Sequence, residues 1–390
     1  MRVCSILLAV AALSAPFAFG QKPERSRDLG IPFEGTPGPL NAITDVKGVE
    51  VGHTTLIEGN GPLQVGTGPV RTGVTVILPR GKANPEPVYA GWFSQNGNGE
   101  MTGTTWVEES GFLETPIGIT NTHSVGVVRD AMIAWSIKHK RMRQDWSLPV
   151  VAETWDGYLN DINGFHIKPD HVIEALDTAA TGSVLEGAVG GGTGMVCYGF
   201  KGGIGTASRA LPKDEGGYTV GVLVQCNCGR RAQLQIAGAP VGREIPEGVR
   251  YSSNLNNETR GDVGSIIIVI ATDAPLIPTQ LKRLARRATM GLARTGSTSG
   301  NGSGDIFIAF STANSGAGNE PGPNSVLTVS NERISPLFSA TVEATEEAIV
   351  NTLVAAKTMT GIDNHTVLGL PHDRLQTVLK KYNRLSDHAQ

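Results

Sequence analysis

The residues best suited to chemistry sit where loops run into strands. The first group is Asp262-Val263-Gly264-Ser265-Ile266. A polar stretch, 239–262, with a loop at Asn254 to Gly261, gives way at Gly-Ser to a β-branched run, Ser265 to Ala271. Glycine lets the backbone adopt angles that other residues avoid. Serine brings a hydroxyl beside its own peptide bond. If that bond is held distorted, the hydroxyl can attack the Gly264 carbonyl, and water can then cut the ester. The serine left behind carries a hydroxyl and a free α-amine, whose pKa of ~7.7–8.0 suits a base near neutral pH. A plain turn feeding a strand would have the same residues, so the dipeptide alone does not fix a nucleophile.

The second group is Gly302-Ser303-Gly304-Asp305, where a Gly/Ser loop from Gly296 meets the strand Ile306 to Phe310. A carboxylate just past a serine can orient its hydroxyl or draw a proton through it; an Asx turn would look alike. The third is Asn227, a polar amide inside the apolar segment VLVQCNCG. It can bond to a neighbouring loop, or aim its NH2 into a cleft as an oxyanion donor. The fourth, Glu153-Thr154-Trp155-Asp156-Gly157-Tyr158, follows a strand end. It reads as a polar loop with packed aromatics or as a pocket for a cationic group such as a substrate amine. Other chemistries do not appear. GGGTGM at 190–195 is an incomplete dinucleotide fingerprint, and there is no Walker motif, HExxH or GxSxG. The eight histidines show no metal-ligand spacing.

The elements that must hold these groups are mixed. Strands are expected at Thr72 to Leu78, Leu148 to Glu153, Met195 to Phe200 and Tyr218 to Cys228, besides the two that begin at Ser265 and Ile306. SIIIVIA is too apolar for a one-sided strand and belongs in the middle of a sheet. Helices are expected at Ser124 to His139, 169–180, Pro275 to Arg294 and Val342 to Met359. Leu281, Leu284, Ala288 and Leu292 form the apolar face of the third, opposite Lys282, Arg283, Arg286 and Arg287. Such a mixture makes an α/β or α+β layered sandwich. Residues 21–40 read as a loose N-terminal arm.

With 390 residues, 39% hydrophobic and 18% charged, the chain can fill a core. A net charge of −3 without a one-sign run excludes the basic footprint of a nucleic-acid binder. Residues 1–20 have a positive start, an apolar stretch and small residues at Ala18 and Gly20, the pattern of a cleaved signal peptide. The expectation is export to the periplasm or the medium, with no membrane attachment after signal removal. Cys197, Cys226 and Cys228 then remain, an odd set read as buried small residues; a bond within Cys226-Asn227-Cys228 would be strained.

The sequence resembles the L-aminopeptidase/D-esterase and β-peptidyl aminopeptidase family, often called DmpA-like. The resemblance runs over nearly the whole chain that remains after removal of the expected signal peptide. It is carried in order by GPLNAITDVKGVEVGHTT (38–55), ITNTHSVGVVRDA (119–131), VVAETWDGYLNDING (150–164), GTGMVCYGFKGGIGTASR (192–209), GVLVQCNCG (221–229), GSIIIVIATDAPL (264–276), GNGSGDIFIAFST (300–312) and VEATEEAIVNTL (342–353). It implies one catalytic domain, 21–390, with a four-layer α-β-β-α sandwich like that of N-terminal-nucleophile hydrolases and ornithine acetyltransferases. It further implies self-cleavage at Gly264-Ser265 into 21–264 and 265–390, and a homo-oligomer of the resulting heterodimer. Ser265 matches the nucleophile, Ser303 and Asp305 its second serine and acidic partner, Asn227 the oxyanion amide, and Glu153 a substrate-pocket acid. Trp155 stands where some members carry a tyrosine, with Tyr158 nearby, and cysteines flank Asn227 where smaller or apolar residues are usual. The implied reaction is release of an N-terminal aminoacyl group from a small peptide, amide or ester, with no metal or organic cofactor. Acyl transfer on a related fold, or a secreted binding protein without catalysis, are the alternatives.

Overall fold

The computed structural model describes residues 24–248, 264–318 and 325–386. The expected signal peptide, the loop at Asn254 to Gly261 and most of 239–262 therefore lie outside or at the edge of the described residues. In chain order the elements are β1 (Glu50–Glu58), β2 (Val70–Leu78), β3 (Val88–Ser94), α1 (Thr104–Ser110), β4 (Phe112–Leu113), β5 (Ile117–Asn121), α2 (Val125–Lys138), β6 (Val150–Thr154) and α3 (Pro169–Thr178). There follow β7 (Val196–Cys197), β8 (Phe200–Lys201), β9 (Gly203–Ala210), β10 (Thr219–Asn227), α4 (Val241–Glu244), β11 (Ser265–Thr272), α5 (Pro278–Arg294), β12 (Asp305–Ser311), α6 (Ser335–Ala355) and α7 (His372–Lys381).

Two sheets form the middle of the molecule. One has the order β1-β2-β5-β6, the other β4-β3-β12-β11-β10-β9. Helices α2 and α3 pack on the first, and α5 and α6 on the second. This is the four-layer α-β-β-α sandwich. Its layering is visible in β11, where alternate side chains face opposite ways. Ile266, Ile268 and Ile270 join the core under α5 and α6. Ile267, Val269 and Ala271 join Ile77, Ile117 and Ala152 between the sheets. Both faces are dry, so the sequence there is a continuous apolar run.

The main strands and helices fall close to their expected places, with three differences. Met195 to Phe200 is not one strand. It folds back at Tyr198-Gly199 into the hairpin β7–β8, both residues at positive φ. Helix α6 begins seven residues earlier than its apolar face suggests, because Pro336 sits in its first turn, where the missing N–H costs nothing. The N-terminal arm is not loose from residue 24 onward. Arg25 pairs with Glu186, Arg27 with Glu347, and Leu29 and Ile31 are buried.

Cys197 and Cys226 form a disulfide, with Cα atoms 5.6 Å apart, which corrects the reading of three unlinked buried cysteines. The hairpin lays Cys197 against β10, a proximity the spacing could not reveal. The bond lies on the helix-facing side of β10, the side opposite Asn227. The Cys228 sulphur sits 3.6 Å from that of Cys226.

Candidate active site

Ser265 and Asn227 are direct partners across the antiparallel β10–β11 pair. Opposed residues in such a pair put their side chains on one face with Cβ atoms about 4.5–5.5 Å apart. By alternation with Ile267 and Leu223, that face looks between the sheets. β12 runs parallel on the other side of β11 and pairs Asp305 with Ile266. This register sets Gly304 beside Ser265, and the Gly304 N–H donates to Ser265 Oγ at 3.1 Å. Ser303 Oγ–H donates to Asp305 Oδ1 at 2.6 Å. Asp305 and Ser303 are fully buried, and Ser265 is only 6% exposed. Three of the four groups expected from sequence thus meet at the ends of three adjacent strands.

Two glycines make this meeting possible. A Cβ on Gly264 would fall 2.2 Å from the Asn227 carbonyl oxygen and 2.7 Å from Cys228 Cα. A Cβ on Gly304 would fall 2.4 Å from the Asn98 carbonyl oxygen. Backbone meets backbone at both points, and no larger residue fits without movement.

The loop after β3 clasps the loop before β12. Asn98 Nδ2 donates to the Gly302 carbonyl at 2.8 Å, and the Asn98 N–H donates to that of Ser303 at 3.2 Å. The same loop reaches the other sheet, where the Glu100 N–H donates to Glu153 Oε1 at 3.0 Å. Thr122 Oγ1 donates to Glu153 Oε2 at 2.5 Å. Gly99 lies between the two sheets' contributions, and its missing side chain would be 3.1 Å from Gly304 Cα and 3.3 Å from Glu153 Oε1. Glu153 is therefore close to the Ser265–Gly304 corner. Burial pushes its carboxyl above the usual range, opposed by Thr122, the Glu100 N–H and His123.

The Asn227 amide is held at both ends. Its Oδ1 accepts the Val196 N–H at 2.7 Å, and its Nδ2 donates to the Trp155 carbonyl at 2.9 Å. One Nδ2 proton remains for another acceptor. Trp155 is 43% exposed, whereas Tyr158 is buried with Leu159, Val196 and Val367 and stacks on His365. Sequence reasoning missed the Gly304 N–H, Thr122 and a buried Lys201; it placed Asp156 in the acidic and aromatic cluster but not behind Asn227. A glycine between Ser303 and Asp305 was the only visible sign of the first.

Residues 41–367 match the model of peptidase family S58. The chain belongs to this family. It is 57% identical over 370 residues, covering 93% of both chains, to the beta-peptidyl aminopeptidase BapA of Sphingosinicella microcystinivorans. Among solved structures, it superimposes on a Burkholderia sp. beta-aminopeptidase with TM-score 0.83 and 51% identity, covering 92% of this chain and 99% of that one. It superimposes with TM-score 0.86 and 48% identity on the L-aminopeptidase D-Ala-esterase/amidase of Ochrobactrum anthropi, covering 94% and 100%. That enzyme is described as a prototype of the serine aminopeptidases and a variant of the Ntn hydrolase fold. The present chain is a hydrolase, an aminopeptidase of the N-terminal-serine type, rather than an acyltransferase or a binding protein. Among the described residues, no helix is long and apolar enough to cross a membrane.

Proposed function

We propose that the chain cleaves itself between Gly264 and Ser265, and that Ser265 then releases N-terminal β-amino acids from small peptides and amides. The observation that carries the first part is the Ser265 corner, where the hydroxyl accepts the Gly304 N–H, a held amide stands opposite on the next strand, and a buried Ser–Asp pair brackets Gly304. The β-aminoacyl preference rests on the 57% identical relative, whose name states that activity. Ser265 Oγ attacks the acyl carbon, and its proton passes to the new α-amine or to Ser303. The spare Nδ2–H of Asn227 and the Gly304 N–H receive the oxyanion. The leaving amine departs protonated, and water then opens the ester on Ser265. Glu153 takes the substrate ammonium, with Trp155 beside it and Tyr158 as support behind. In the precursor the same hydroxyl attacks the Gly264 carbonyl. We further propose that residues 1–20 direct export to the periplasm or medium, and that the 21–264 and 265–390 pair assembles into a homo-oligomer.

The experiment is denaturing electrophoresis with N-terminal sequencing, followed by turnover of β-homo, L-α and D-aminoacyl p-nitroanilides. The expected result is a fragment beginning at Ser265, a single inactive chain for Ser265→Ala, and fastest turnover of the β-aminoacyl amide. An intact active wild-type chain would overturn self-cleavage. Turnover of α-aminoacyl amides alone would overturn the β assignment while leaving the nucleophile standing.

A further inference from the structure

We infer that Lys201 and Asp156 are positioning residues, which lock and polarise the Asn227 amide through one continuous line of hydrogen bonds. The inference rests on Asn227 being the oxyanion donor. Lys201 lies on β8 opposite Val196 on β7, and it is fully buried. Its Nζ donates to the carbonyls of Met195 at 2.7 Å, Gly202 at 2.8 Å and Gly192 at 3.4 Å. An ammonium has three protons, and all three are used.

The Met195 carbonyl and the Val196 N–H are the two ends of one peptide group. Lys201 pulls on the carbonyl end, and the N–H end donates to Asn227 Oδ1. On the far side, Asn227 Nδ2 donates to the Trp155 carbonyl. That carbonyl belongs to the peptide group whose other end is the Asp156 N–H, which, after the side chains of Thr72, Asn160 and Asn121, opposes the burial that pushes the Asp156 carboxyl up. The carboxylate is fully buried and also accepts from Asn160 Nδ2 at 3.1 Å.

The line therefore runs from the buried Lys201 amine through a peptide, the Asn227 amide and a second peptide to the buried Asp156 carboxyl. Every bond donates in the same sense, so the dipoles reinforce one another. Two consequences follow for Asn227. Its amide cannot flip, because both ends are fixed. Its spare N–H becomes a stronger donor, because an amide whose oxygen accepts a polarised hydrogen bond carries more positive charge on its nitrogen protons. Burial pushes the Lys201 amine down to about 7 and the Asp156 carboxyl up to about 7. The two groups stand at the two ends of the Asn227 side chain's hydrogen bonds, and Asp156 also favours the protonated form of Lys201 through charge.

The test is a double-mutant cycle on the full-length enzyme, with rates normalised to the cleaved fraction on a gel. Lys201→Met, Asp156→Asn and Asn227→Ala are made singly, and each of the first two is combined with Asn227→Ala. One p-nitroanilide substrate gives kcat and KM, and circular dichroism gives the thermal midpoint. Asn227→Ala is expected to lower kcat by about 10²–10³. Lys201→Met should lower kcat by about tenfold with KM within about twofold, since it weakens a donor that acts on the transition state. Combined with Asn227→Ala, it should cost no more than about twofold further, because its route to the chemistry is gone. If Lys201→Met fails to fold, Asp156→Asn, which keeps size and shape, reads the same line from its other end. A folded variant with normal kcat, or losses that multiply in the double mutant, would overturn the inference. A near-normal Asn227→Ala would instead overturn the oxyanion reading on which it depends.

Discussion

Asp305→Asn separates two roles for the buried Ser303–Asp305 pair. The change keeps the size of the side chain and one acceptor oxygen but removes the charge. In the wild type Ser303 Oγ donates to Asp305 Oδ1 at 2.6 Å, and both groups are out of water. A hydrogen bond to an ionised acceptor contributes about 1.5–3 kcal/mol, against about 0.5–1.5 for a neutral one. The difference, about 1–1.5 kcal/mol, is a factor of about 5–13 in rate if it is felt fully in the transition state. That is the loss expected if Asp305 only orients Ser303 and raises its basicity. If Asp305 also takes a proton through Ser303, the neutral amide cannot replace it, and the loss becomes about 10²–10⁴. The assay is kcat on the processed enzyme, with KM and the thermal midpoint as controls. Removing a buried carboxylate should leave the midpoint unchanged or raised. Ser303→Ala should lower it, because the carboxylate then loses a donor, at about 1–3 kcal/mol. A folded Asp305→Asn enzyme with kcat within twofold of wild type would refute both roles and leave the pair as a structural clasp.

Three further outcomes follow from the same geometry. Gly264→Ala would drive a Cβ into the Asn227 carbonyl, so the uncut chain should persist on a denaturing gel for hours; prompt, complete cutting would show that the contact yields. Glu153→Gln should raise KM more than it lowers kcat and leave self-cleavage intact, and N-acetylated substrates should be turned over poorly by the wild type; equal turnover of free and acetylated substrates would remove Glu153 from amine recognition. Burial pushes the His53 imidazole down to about 4 from 6.5. The unfolded chain then binds the extra proton first, so stability is full above about pH 6.5 and falls by up to about 3 kcal/mol toward pH 4. His53→Gln should flatten that slope in thermal midpoints taken at pH 7.5 and 4.5, and parallel slopes would assign the acid sensitivity to other groups.

The sequence made the core of the fold readable wherever one element is buried on a defined face. SIIIVIA announced a two-sided strand because both faces of β11 are dry, and Leu281, Leu284, Ala288 and Leu292 announced α5 because one face is. Segments that carry mixed duties were silent. β1 combines Val51 with His53, Thr54 and Glu58, and its polar residues have partners far along the chain, such as Glu174 for Thr54. β9, GIGTASRA, is buried along nearly its whole length yet has few large side chains. Its Arg209 is neutralised by Glu347, some 138 residues away, which no local pattern contains. Sheet order was equally hidden, since β11 and β12 are parallel neighbours only because α5 crosses between them.

The site divides along the same line. Ser265, Asn227, Ser303 and Asp305 stood out because a polar residue next to a dry strand needs a reason. Their being together did not stand out, because it depends on register. Asn227 opposes Ser265, and Gly304 adjoins it, through pairings set over eight residues of β10 and seven of β12. One residue of slip in either strand would turn a functional group to the other face. Lys201 was invisible for a different reason. A lysine in a glycine-dense segment reads as solvated, and only the return of the chain at Tyr198-Gly199 turns it inward, onto the peptide that Asn227 needs. The cysteines follow the same turn: Cys197 meets Cys226 because Val196 must meet Asn227. The hairpin therefore does two jobs with alternating residues. Val196 turns its N–H to Asn227 and packs its side chain against Tyr158, Leu159 and Val367, and Cys197 joins the core under the helices, where a covalent link can hold the hairpin without entering the site. Chemistry and reinforcement are kept on opposite faces of β10, which is why cysteines can flank Asn227 without displacing it.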